Sequence, residues 1–128
     1  MRARPGRRVD FPTCPFCGTA VRRPEEVGGA MPGGSCSCSA VYVADTTGLS
    51  LGEALLEALS LACGGDPDLG WQLEPAEDYE ERQLLGYDPV RHVIIGSAAT
   101  YRSGMGALLF IRLTEGALER AGERVRSS

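Results

Sequence analysis

Between Ser50 and Cys63 the apolar residues Leu51, Ala54, Leu55, Ala58, Leu59 and Ala62 recur at helical spacing, with Glu53, Glu57 and Ser60 on the opposite side. That pattern predicts an amphipathic helix lying on a core. Ser50 and Glu53 have the spacing of a capping box, in which the hydroxyl accepts from a free backbone N–H and the glutamate reaches back to the cap residue. Gly64-Gly65 ends the helix. Asp66-Pro67 predicts a second, short helix with Asp as cap and Pro in its first turn; Leu69 and Leu73 face inward and Pro75 ends it. Residues 76–85 read as a third helix ending at Gly86. Thr114 to about Arg124 reads as a last one, with Leu118, Ala121 and Val125 on one side.

The other stretches read as β-structure. Thr19-Ala20-Val21-Arg22 and Ala40-Val41-Tyr42-Val43-Ala44 are short β-prone runs, separated by the loop-like Val27–Gly34. His92-Val93-Ile94-Ile95 and Ala107-Leu108-Leu109-Phe110-Ile111 predict a hairpin buried on both faces, with Gly96–Gly106 as its turn. An unpaired edge of these strands would be where a second copy adds. With 128 residues there is room for one domain, or for a small one beside a modest one.

Charge divides the chain unevenly. Residues 1–23 hold six arginines (Arg2, Arg4, Arg7, Arg8, Arg22, Arg23) against Asp10 alone, while the rest holds seven arginines against sixteen acids. The net charge of −4 argues against a nucleic-acid footprint over the whole chain, so only the N-terminal end would meet phosphate. Residues 1–10 are expected to form a flexible basic arm. No apolar run approaches the roughly 18 residues of a membrane helix, and the basic start lacks the apolar stretch of a signal peptide, so a cytoplasmic protein with no membrane partner is expected.

The chemistry lies in the five cysteines, at 14, 17, 36, 38 and 63. Cys14-Pro15-Phe16-Cys17-Gly18 is a knuckle sequence: two intervening residues let both thiolates reach one ion, and Gly18 tolerates the positive φ of the turn. Cys36-Ser37-Cys38 supplies a second pair, and four thiolates would close a tetrahedral Zn²⁺ site. These residues resemble a zinc ribbon over about residues 11–47. The order Cys-x-Cys, Ala-Val-Tyr-Val-Ala-Asp, then a helix is similar to uncharacterised bacterial ribbon proteins. The second pair departs from the ribbon pattern by having one spacer residue and Ser39 in place of Gly, which leaves Cys63 and His92 as reserve ligands. Thr-Cys-Pro-Phe-Cys also looks like a glutaredoxin active site, but the following Gly18 and Pro24 leave no helix to lower the thiol pKa. Cys63, four residues after Leu59, reads as an ordinary buried thiol. Arg22 or Arg23 would offset the charge of a four-thiolate site, or simply be solvated.

The resulting expectation is an α+β fold: an N-terminal zinc ribbon (11–47), then a small α+β domain (48–128) of a helical segment, a β-hairpin and a C-terminal helix. Catalysis is not expected, since there is no Gly-x-Ser-x-Gly elbow and no phosphate loop. An enzyme would need His92 and some of Tyr101, Arg102 and Ser103 in one pocket. The favoured function is a zinc-stabilised module that contacts a protein partner through an acidic helical face carrying Glu77, Asp78, Glu80 and Glu81. The alternative is a nucleic-acid-binding ribbon using Arg2, Arg4, Arg7, Arg8, Arg22 and Arg23, with Phe11, Phe16 and Tyr42 as the aromatic candidates. Trp71, Tyr79 and Tyr87, inside the acidic stretch, read as core rather than as interface anchors.

Overall fold

A computed structural model describes residues 9–95 and 105–127. Its elements are β1 (Val9–Asp10), β2 (Gly33–Ser35), β3 (Val41–Asp45), α1 (Leu51–Ala62), α2 (Pro67–Trp71), β4 (Tyr79–Asp88), β5 (Val93–Ile95), β6 (Gly106–Leu113) and α3 (Ala117–Ser127). The described strands all join one curled antiparallel sheet of six, in the order β1-β5-β4-β6-β3-β2. The fold is therefore a strand-dominated half-barrel with three short helices, not the ribbon-plus-helices α+β arrangement expected from sequence.

Two errors of element account for the difference. Residues 76–85 are not a helix: from Tyr79 on they form the long strand β4. Glu, Arg, Gln and Leu favour a helix locally, but Tyr79–Leu85 pair along their whole length with the buried strand β6, and that pairing overrides the preference; β5 joins β4 only at Tyr87 and Asp88. Gly86 does not end a helix; it sits at a bulge, with φ +76°, where the register shifts between Leu85 and Tyr87. Nor do His92–Ile95 and Ala107–Ile111 pair with each other. β5 folds back on β4, and β6 inserts between β4 and β3. Most of the expected turn, residues 96–104, lies outside the described residues.

The central strand β6 is buried on both faces, and alternate residues feed two cores. Leu109 and Ile111, with Val43 and Tyr79, face α1 and α3 through Ala54, Ala58, Leu59, Ala117 and Ala121. Leu108 and Phe110, with Tyr42, Ala44 and Tyr87, face the other way, onto Cys14, Val21 and Ala40. The sheet thus has helices on one side and the cysteine-bearing N-terminal segment on the other.

α1 forms as its periodicity predicts, but the capping box does not: Ser50 makes no side-chain cap bond. Buried Asp45 at the end of β3 holds the entry instead, accepting from Ser50 N at 2.6 Å, Thr47 N at 3.0 Å and Thr47 Oγ1 at 2.7 Å. Burial alone would push this carboxyl up; the bonds from Thr47, Ser50 and Gly48 hold it below the usual range. α2 is capped as expected, with Asp66 accepting from Asp68 N and Leu69 N. No described helix is long and apolar enough to cross a membrane.

Candidate metal centre

Two turns bring the four cysteines together. In the first, Gly18 N donates to Cys14 O at 2.7 Å and Cys14 N donates to Thr19 O at 2.8 Å, with Gly18 at φ +78°. In the second, Ser39 N donates to Cys36 O at 3.0 Å and Cys36 N donates to Ala40 O at 2.8 Å, with Ser39 at φ +79°. The second turn repeats the first with one residue removed, which is why a single spacer suffices between Cys36 and Cys38. It forms the tip of the β2–β3 hairpin. The first turn closes a shorter hairpin, bridged at Thr13 and Ala20, that lies on the sheet.

Ser39 therefore does the job of Gly18 with a side chain attached. A left-handed conformation costs a non-glycine residue about 1–2 kcal/mol, partly offset by the smaller entropy of its unfolded state. Ser39→Gly is expected to raise stability by about 0.5–1 kcal/mol. A thermal melt of the metal-loaded chain checks it; an unchanged or lower midpoint would mean that the position carries no strain.

The four sulfurs all lie within 4.8 Å of one another and could hold a metal ion. Cys14 Sγ is 3.7 Å from Cys38 Sγ, and Cys17 Sγ is 3.5 Å from Cys36 Sγ. The site is lopsided: Cys14 is 1% exposed, Cys36 and Cys38 are half-buried, and Cys17 faces solvent. Burial pushes the Cys14 thiol up to about 12, against the pull of the Phe16 and Cys17 N–H groups. The Thr19 hydroxyl, 3.2 Å from Cys17 Sγ, and the Thr19 N–H bring Cys17 down to about 6.

Cys63 is not among these thiols. It is buried in the helix-side core, where burial and then the nearby Asp66 push its pKa up. His92 is also outside the cluster. Its Nε2–H donates to Val21 O at 2.9 Å, which leaves Nδ1 to accept from the Tyr87 hydroxyl at 2.8 Å. Neither reserve ligand is brought to the four thiols.

The other predicted residues fall as follows. Arg23 donates to Pro89 O at 2.6 Å and Val90 O at 3.2 Å, and Arg22 O accepts from the Tyr42 hydroxyl at 2.8 Å. The arginines laid on the first knuckle are instead Arg112 and Arg82, 4.8 and 5.3 Å from the Phe16 ring centroid. They belong to β6 and β4, and nothing in sequence spacing links them to residue 16. Of the aromatics considered for base stacking, Tyr42 is buried, Phe16 is covered by these two guanidinium groups, and Phe11 is exposed. Arg2, Arg4, Arg7, Arg8, Tyr101, Arg102 and Ser103 lie outside the described residues.

The expected acidic helical face does not exist. Asp78 is 0% exposed and ion-paired to Arg120 and Arg124. Glu80 and Glu81 are on a strand, hence on opposite faces of the sheet, and Glu80 is paired with Arg82 and Arg112. Glu77 is exposed, with Arg124 Nη2 3.9 Å from its carboxylate. Trp71, expected in the core, is 72% exposed at the end of α2. An acidic, short-helix context was the only signal in the sequence that could have pointed to this.

No family model matches the chain, and no curated protein or solved structure is detectably similar to it.

Proposed function

We propose that the chain is a zinc-stabilised binding module of the zinc-ribbon kind that contacts a protein partner and performs no catalysis of its own. The observation that carries this reading is the pair of matched cysteine turns. Zinc–sulfur bonds of about 2.3 Å give tetrahedral sulfur–sulfur edges of about 3.8 Å, and two cross-turn pairs already stand at 3.5 and 3.7 Å. A soft, all-thiolate donor set suits zinc. Four protein ligands leave no open position for a substrate, so the ion holds structure and does not act on a ligand.

The partner surface is proposed around Trp71. A large exposed aromatic among acids is the composition of an interface anchor, and the neighbouring Asp66, Asp68 and Glu77 would suit a basic partner. Elemental analysis of protein purified without chelator, beside Cys36→Ser, tests the metal; a ratio near one zinc per chain, lost in the variant, is expected. Capture of a partner by the wild type and its loss in Trp71→Ser, with zinc retained, tests the surface. Equal capture by both would retire Trp71 as the anchor.

A further inference from the structure

The four thiols do not stand equal before an oxidant. Cys17 is exposed and Cys14 is enclosed at 1% exposure, while Cys36, half-buried, is 3.5 Å from Cys17. Cys38 is 3.7 Å from Cys14. The cluster thus splits into an outer pair, Cys17 with Cys36, and an inner pair, Cys14 with Cys38. Each pair takes one thiol from each turn. A sequence reading would have paired Cys14 with Cys17, since that is the two-spacer motif of thiol redox sites.

From this geometry we infer that the metal centre is also an oxidation site, in which hydrogen peroxide converts Cys17 and Cys36 to a disulfide that spans the two turns and releases the ion. The inference rests on the zinc reading of the same thiols. In the first step the Cys17 thiolate attacks one peroxide oxygen and the O–O bond breaks. The departing hydroxide takes up a proton to become water, and Cys17 is left as a sulfenic acid. In the second step the Cys36 thiolate attacks the Cys17 sulfur and the S–O bond breaks. The departing hydroxide takes up a second proton. Two sulfurs have given two electrons to one peroxide, two protons are consumed, and two waters form. The remaining thiols, Cys14 and Cys38, make only half a ligand set and no longer hold the ion.

The disulfide would tie the same two turns that the metal tied, so the hairpins stay joined after the ion leaves. Reduction by a dithiol would restore the site. Cys63, buried in the opposite core, provides an internal control that should remain a free thiol.

The experiment treats the full zinc-loaded chain with hydrogen peroxide. It follows zinc with a chromogenic chelator and maps disulfides by mass spectrometry of a non-reduced digest. The expected result is loss of the bound zinc together with a Cys17–Cys36 peptide pair, both reversed by dithiothreitol and added zinc. A Cys14–Cys17 pair as the main product, or zinc retained while Cys17 is oxidised, would overturn the inference. The zinc content before treatment separates this from the reading beneath it. A chain with no zinc at the outset overturns the zinc reading, and the same map still decides which thiols pair.

Discussion

Stripping the metal with a strong chelator is expected to abolish the cooperative thermal melt, and Cys14→Ser to yield a chain that neither binds zinc nor melts cooperatively. Structural zinc contributes an apparent 10–16 kcal/mol in zinc-finger peptides at neutral pH, roughly the whole stability of an ordinary domain, about 5–15 kcal/mol. The first knuckle also does more than ligate. Cys14 and Val21 form part of the lid over Tyr42, Leu108 and Phe110, and Phe16 rests beneath Arg82 and Arg112. Without the ion, one turn loses its tie to the other and one face of the sheet loses its cover. Cys14 is the most informative position because it is the enclosed member of the four, and its thiol, like any free thiol of pKa about 8.5, carries a proton at neutral pH when no ion is bound. Zinc must displace that proton, so affinity falls as the pH is lowered. Far-ultraviolet circular dichroism with and without chelator, followed by zinc add-back, checks the expectation. A metal-free chain that melts at the same temperature as the loaded one would remove structural zinc from the account.

What could be read in the sequence was local. α1 announced itself because its apolar residues repeat along one face, and α2 because Asp66-Pro67 is a cap written into two residues. The four cysteines were legible because a chelating pair is a short-range pattern. Even the shortened second pair gave its answer once Ser39 proved to occupy the left-handed position that Gly18 fills in the first turn. What could not be read was pairing. β4 has a helix-favouring composition and becomes a strand because β6 pairs along it from Tyr79 to Leu85. β6 comes to lie between two strands far from it in the chain. The guanidinium groups on Phe16 and the arginine partners of Asp78 are products of that topology, since each contact joins residues dozens of positions apart.

Asp78→Ala is expected to cost about 3–5 kcal/mol at pH 7, the usual penalty for removing one member of a buried ion pair. The carboxylate is fully enclosed, with Arg120 Nε donating to Oδ1 at 2.7 Å, Arg124 Nη1 to Oδ2 at 2.5 Å and Glu74 N to Oδ2 at 2.8 Å. Its backbone takes part too, since Thr114 N donates to Asp78 O at 2.8 Å. One residue thereby joins the start of β4, the end of β6 and the whole of α3. Truncation would leave two guanidinium groups with no shared counter-charge. Both reach water in part, at 35% and 27% exposure, which places the cost in the lower half of the range. The acid response follows from the same contacts. Burial by itself raises the carboxyl, but the bonds from Arg124, Glu74 N and Arg120 outweigh it and hold the pKa below the usual range. The folded value is therefore lower than the unfolded one, about 3.9. The stabilisation is complete above the unfolded value and is lost as pH falls through the folded one. Urea titrations of wild type and Asp78→Asn across this window should show a gap that is wide at pH 7 and closes progressively in acid. A gap that stays constant down to the lowest pH would mean that the charge on Asp78 is not what fastens α3 to the sheet.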